Sequence, residues 1–266
     1  METINTSEDL SNYFEKRIEN ICKILDKPHN EYGNEDYHQL RVEIKKVNAL
    51  MVLISYCHKD FKKKKYFRPF KSIFKQSGKI RDLQLEESVL EKYSVTSIEG
   101  FLFRVKNEIN KEEKNFRLLI QNNFKRKINK SYKNIVIYLK EIHPVKVENF
   151  LKKEGRKLKK LILITPLKGN DLHELRKAFK IDLYNKKSLN LQDKNGWEEK
   201  NDFQELLGNW HDSKMLSNLI EKSIVRKKID LEELKQLLQI DEEITANTRL
   251  LFDKINSKAA DKDLFV

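Results

Sequence analysis

The sequence predicts an all-α protein, and three observations predict it. Only 7 Gly and 4 Pro punctuate 266 residues, too few for the turn every ten residues or so that a sheet protein of this length demands. Apolar residues recur at three- and four-residue steps through long segments, the period of a helix with one buried face. With 39% apolar residues, among them 14 Phe, 9 Tyr and 2 Trp, the chain has the bulk to bury a core and lies far from a disordered composition.

A first helix is expected from Ser7 to about Lys27. Leu10, Tyr13, Phe14, Ile18, Ile21 and Leu25 form its stripe, and Ser7 with Glu8 and Asp9 reads as an N-cap and acidic first turn. Pro28 to Gly33 reads as a loop. A second helix from about Glu35 to Lys59 carries Leu40, Ile44, Val47, Leu50, Met51 and Ile54 at helical spacing. Further helices follow, with breaks expected near Gly78, near Ser94 to Ser97, and at His143-Pro144, where the residue before proline is pushed out of the helical region. Beyond that break come a basic helix from about Pro144 to Ile164, a loop at Thr165 to Asn170, and a helix from Asp171 to about Lys187. A polar loop from Asn190 to Asn201 and two more helices complete the chain. The similar make-up of 1–143 and 144–266 suggests an internal duplication within a single 1–266 domain.

Lys and Arg total 54 against 41 Asp and Glu, a formal charge of +13, which opposes self-association and favours a polyanionic partner. Two cysteines, Cys22 and Cys57, supply neither a disulfide framework nor a four-thiolate zinc site, so a reducing cytoplasm is the expected compartment. Met1 to Asp9 lacks a basic and apolar leader, and the most apolar stretch, Ala49 to Cys57, is about half the ~20 residues that span a bilayer, so no membrane partner is expected.

Residue identities sharpen the suggestion of a repeat. The chain reads His38-Gln39-Leu40-Arg41-Val42-Glu43-Ile44-Lys45 and, 135 residues later, His173-Glu174-Leu175-Arg176-Lys177-Ala178-Phe179-Lys180. Both are His-x-Leu-Arg-x-x-x-Lys. Because 54 of 266 positions are basic, a given His has roughly a 0.04 chance of cations at both +3 and +7, so two such matches argue against accident. Each is followed about forty residues on by Gly-x-apolar-basic-Asp, once as Gly78 to Asp82 and once as Gly208 to Asp212, expected to be turns. Positions i, i+3 and i+7 share a helical face, so His38, Arg41 and Lys45 point one way, as do His173, Arg176 and Lys180, with Tyr184 one turn further. Arg41 with Lys45, and Arg176 with Lys180, repel by a few tenths of a kcal/mol, a cost tolerated where solvent screens the charges or an anion binds between them.

These paired motifs resemble the conserved histidine α-helical domain, CHAD, over nearly the whole chain. The resemblance implies two pseudo-symmetric antiparallel four-helix bundles, 1–143 and 144–266, with basic side chains lining a central cavity. It also implies binding of inorganic polyphosphate, association with polyphosphate granules, and no cofactor. On that likeness the lining comprises His38, Arg41, Lys45 and Lys46 in the first half and His173, Arg176, Lys177, Lys180 and Tyr184 in the second. Asn48, Ile181 and Leu183 stand where the family often has Arg or Lys. His211 stands where the first half has Arg81, making its charge dependent on pH, since a free imidazole titrates near about 6.5. Asp82 and Asp212 read as caps or partners of a nearby base, because carboxylates repel phosphate.

Other cations cluster at Lys62 to Lys65 with Arg68, at Lys125 to Lys127, and at Lys152 to Lys160. The last set places Lys153, Lys157 and Lys160 on one face of a helix whose Val147, Leu151, Leu158, Leu161 and Ile162 turn inward. Polyphosphate needs only dense donors, with Arg41, Arg81 and Arg176 as the bidentate, geometrically selective contacts. Two alternatives stand beside it. Weak nucleic-acid binding at low salt follows from charge alone, though no sequence-reading motif is evident. A metal-dependent phosphohydrolase would use His173, His211 and Asp212 with Asp241 or Asp253. The repeat argues against that reading, because Arg81 occupies the place equivalent to His211 and a guanidinium does not ligate a metal.

Overall fold

The computed structural model describes residues 6–93, 98–121, 123–164, 166–191, 197–226 and 229–260. Among these the chain forms nine α-helices, a 3-10 turn at His29–Glu31, and no strand. The helices are α1 (Thr6–Leu25), α2 (Asn34–Cys57), α3 (Lys63–Tyr93), α4 (Glu99–Gln121), α5 (Phe124–Lys140), α6 (Pro144–Ile162), α7 (Gly169–Ser188), α8 (Trp197–Arg226) and α9 (Leu231–Ala260). None is long and apolar enough to cross a membrane.

The apolar stripes account for α1 and α2. Leu10, Phe14, Ile18, Ile21 and Leu25 of α1 are buried, as are Leu40, Ile44, Val47, Leu50, Met51 and Ile54 of α2. Ser7 lies inside α1 instead of capping it, and its hydroxyl donates to the Leu139 carbonyl at 2.9 Å. That bond ties α1 to the last turn of α5, where helix carbonyls lack intrahelical donors. At Pro144 the expected break is present: proline occupies the first turn of α6, and the Val145 N–H donates to His143 Nδ1 at 3.3 Å. Asn123 and Asn190, with φ of 53° and 55°, flank α5 and α7. Asparagine tolerates this left-handed region better than most residues.

Gly78 does not break the chain. It is buried in the middle of α3, and Gly208 is likewise within α8, so the two Gly-x-apolar-basic-Asp motifs are helical segments and not turns. A helical glycine costs about 1 kcal/mol against alanine, a penalty that the buried Ile73 and Ile80 around Gly78 and the buried Phe203, Leu207 and Trp210 around Gly208 outweigh by packing. Asp82 and Asp212 therefore sit mid-helix and cannot cap a helix start. The break expected near Ser94 to Ser97 falls on residues outside those described, as do 192–196 of the loop expected from Asn190 to Asn201, whose last five residues instead form the start of α8, where Glu198 and Glu199 supply an acidic first turn.

The chain divides into two compact units, 1–77 with 116–197 and 78–115 with 198–266. Each unit thus draws on both sequence halves. In the first, α1 packs on α2 and α5, α2 packs on α6 and α7, and α6 packs on α7. Tyr37 and Phe116 meet edge-on at 5.3 Å, and Phe14 stacks on Tyr132 at 5.5 Å. Lys146, in the first turn of α6, donates to the Cys57 carbonyl at 2.9 Å and so places a cation at the carboxyl end of α2.

In the second unit, Leu90, Phe101, Val105, Leu216, Ile220, Leu237, Ile240 and Ile244 form the core. Beside it the buried Glu233 pairs with Arg104 at 2.5 Å. Gly100 makes room for this pair, since a Cβ there would stand 2.7 Å from Glu233 Oε1.

Candidate functional site

Both predicted ladder helices, α2 and α7, belong to the first unit and pack against each other. Asn185, buried in α7, donates through Nδ2 to the Ala49 carbonyl of α2 at 3.2 Å and to its own Ile181 carbonyl at 2.8 Å. His38, Arg41 and Lys45 are all half-buried, and so are His173, Arg176 and Lys180.

Arg41 is held in place. Its Nη1 donates to the Phe74 carbonyl at 2.8 Å and its guanidinium carbon lies 4.3 Å from the Phe74 ring centroid. Stacking of a guanidinium on an aromatic face fixes the plane of the fork, which is what bidentate recognition of an oxyanion requires. Tyr184, one turn beyond the α7 ladder, is half-buried. Burial pushes its phenol up, Arg176 opposes the shift and Glu43 of α2 adds to it, so the end of this ladder lies within electrostatic reach of α2.

The neighbours of the ladder are engaged with carboxylates. Lys46 stands about 100° round the helix from Lys45 and its ammonium lies 2.6 Å from Glu43 Oε1. Lys177 pairs with Glu174 at 2.9 Å on an exposed face. Lys153, Lys157 and Lys160 are exposed on α6, with the Lys153 ammonium 5.0 Å from the Tyr56 ring centroid. Arg81, on α3, and His211, on α8, belong to the second unit and are half-buried there. His211 Nδ1 lies 3.2 Å from Asp212 Oδ1.

Sequence reasoning missed the buried acid beneath this site. Glu43 is 4% exposed and Arg17 of α1 is 8% exposed, with Arg17 Nε 3.2 Å from Glu43 Oε2. The Arg17 guanidinium also lies 4.9 Å from the Tyr13 ring centroid. A signal existed: Glu43 falls among the buried positions of α2, and Arg17, three residues after Phe14 and four before Ile21, interrupts the apolar stripe of α1. Burying one charge demands the other. Asp182 in α7 is a second such acid, paired with Lys186 at 2.7 Å. Among the described residues no cluster of three His, Cys, Asp or Glu side chains is gathered where it could hold a metal.

Two packed helices, α2 and α7, thus each carry a His-x-Leu-Arg-x-x-x-Lys register with half-buried cations. The sequence matches the CHAD domain family over residues 13–221, and the chain belongs to that family. Among solved structures it is similar to the CHAD domain from the plant Ricinus communis, at 13% identity and a TM-score of 0.74, covering 96% of this chain and 92% of that one. It is also similar to PptA from Streptomyces chartreusis, at 10% identity and a TM-score of 0.68, covering 94% of this chain and 98% of that one. No curated protein matches the sequence.

Proposed function

We propose that this protein binds inorganic polyphosphate along the paired helices α2 and α7, without cleaving it, and that it accompanies polyphosphate granules in a cytoplasm. The observation that carries this reading is the repeated His-x-Leu-Arg-x-x-x-Lys register on two helices packed together, each of the six side chains being half-buried. Membership of the CHAD family supports it. His38, Arg41, Lys45, His173, Arg176 and Lys180 are the proposed ligands, with Tyr184 as a neutral donor beside them. Lys153, Lys157 and Lys160 extend the cationic surface on α6, which packs on both ladder helices. Arg81 and His211 are proposed as cations of the second unit. Counterparts 135 residues apart that share burial as well as identity support an origin by internal duplication.

Replacing Arg41 and Arg176 together by Ala tests the reading. Each loses a charge-assisted contact, so affinity for long-chain polyphosphate should fall by about a hundredfold at roughly 0.15 M salt, with helicity retained by circular dichroism. The Lys double variant should be intermediate, because an ammonium keeps the charge and loses the fork. Unchanged affinity in a folded Ala variant would reduce the ladder to a solvated face. Binding should also tighten as pH falls through the histidine range if His38 and His173 touch phosphate. Competition with duplex DNA at the same salt separates this reading from charge attraction alone, which prefers neither strongly.

A further inference from the structure

Of the three basic runs outside the ladders, the fold brings members of two, Lys62 to Lys65 with Arg68 and Lys125 to Lys127, to one cleft. It has a volume of about 590 Å³ and lies within the first unit, walled by the first turns of α3, the end of α4 and one face of α5. Lys65 and Arg68 come from the first run and Lys127 from the second, joined by Lys130. Beside Tyr66 and Phe124, the lining residues of α3 and of α5 follow i, i+3, i+4, i+7 spacing: 65, 68, 69 and 72 on one helix, 127, 130, 131 and 134 on the other. Each helix therefore presents a single face to the cleft.

Among the described residues, four cations line this cleft and no carboxylate does. By contrast, Lys125, from the same run as Lys127, pairs with Asp26. Like charges three residues apart on a helix repel, so both Lys65 with Arg68 and Lys127 with Lys130 carry a cost that a bound polyanion would reverse. The cleft also has an apolar wall. Phe124 is only 4% exposed, and the half-buried Tyr66 and Pro69 stand near it. A bare phosphate chain makes no use of such a wall. The volume falls in the range of sites for compact organic ligands.

We propose that this cleft binds a nucleoside polyphosphate, its phosphates held by Lys65, Arg68, Lys127 and Lys130 and its base laid against the partly exposed ring of Tyr66. This site is separate from the ladder, and its ligand differs from polyphosphate by carrying a flat apolar group. Stacking of a base on an aromatic ring is sequence-tolerant and worth a measurable share of affinity.

Calorimetric titration of the full chain with ATP and with inorganic tripolyphosphate, both in chelator, tests the proposal. ATP should bind about tenfold more tightly than tripolyphosphate, and the double variant Lys127→Glu with Lys130→Glu should weaken ATP by at least about tenfold. Both lysines are exposed, so the variant should keep its melting temperature. Tyr66→Leu should narrow the preference for ATP over tripolyphosphate. Equal affinity for the two ligands, or ATP binding that survives the α5 double variant, overturns the proposal. So does ATP binding that disappears in the Arg41→Ala, Arg176→Ala variant, since that outcome puts the nucleotide on the ladder and leaves the polyphosphate reading standing.

Discussion

Replacing Glu43 by Gln removes a buried charge while keeping the side chain's shape, and its consequences follow from the distances around it. Arg17 and Glu43 side chains are 10% and 6% exposed, 3.2 Å apart at their nearest charged atoms, and Arg17 Nη1 donates a hydrogen bond to Glu43 Oε1 at 3.4 Å. Breaking a buried pair from one side costs about 3–5 kcal/mol, because the surviving charge stays out of water. These contacts are long for charge-assisted bonds, so the lower end applies, about 3 kcal/mol. Lys46, at 16% exposed, reaches water more easily and adds less than about 1 kcal/mol. The melting temperature should fall by roughly 6–12 °C, measured by circular dichroism alongside urea denaturation. Glu43 is itself a negative charge close to the proposed anion site, so polyphosphate affinity should hold or rise in the same variant. The phenols of Tyr13 and Tyr184, both raised by burial and further by Glu43, should ionise at lower pH in an ultraviolet titration. A stability loss below about 1 kcal/mol would refute the anchoring role. A fall in polyphosphate affinity with the fold intact would refute the separation of anchor from ladder.

Other outcomes follow from single contacts. Burial disfavours charge on Asp36, yet the Gly33 N–H and the Lys27 ammonium together hold its carboxyl below the ordinary range. A depressed carboxylate contributes stability above its unfolded pKa and loses it as pH falls through the folded value. Asp36→Asn should therefore cost about 1 kcal/mol at pH 7, with the gap to the parent closing below about pH 4. A gap undiminished at about pH 2 would contradict this assignment. Burial pushes the Cys57 thiol up to about 11, and the residue is 2% exposed, so a thiol reagent at neutral pH should label it only on unfolding. Prompt labelling of Cys57 in the native protein would show that the α2 terminus opens far more readily than its packing implies.

Particular elements show how much was legible in advance. The stripes of α1 and α2 could be read position by position, and the His143-Pro144 break was placed to the residue, because both depend on local chemistry. Gly78 misled: glycine weakens a helix by about 1 kcal/mol, and a continuous helix formed because the buried isoleucines around it gained more. Ser7 misled in the same way, since a hydroxyl able to cap its own helix instead satisfies the carbonyl of Leu139. The family likeness implies Lys46 and Lys177 as lining residues, and the structure adds that each also meets a carboxylate three residues away on its own helix, Glu43 and Glu174. The cleft beside α5 was beyond reach, because Lys65 and Lys127 are linked only through the packing of separate helices.

The sequence by itself determined the helical class, the inward faces, and the register of the two ladders, since a period of 3.6 residues fixes which side chains share a side. The tertiary structure decided which helices pair. It set α2 against α7, buried Glu43 with Arg17, and gathered two distant basic runs around one cleft. An amphipathic stripe states that a face must be buried but leaves its partner open, and that choice rests on side-chain interdigitation between segments far apart in the chain.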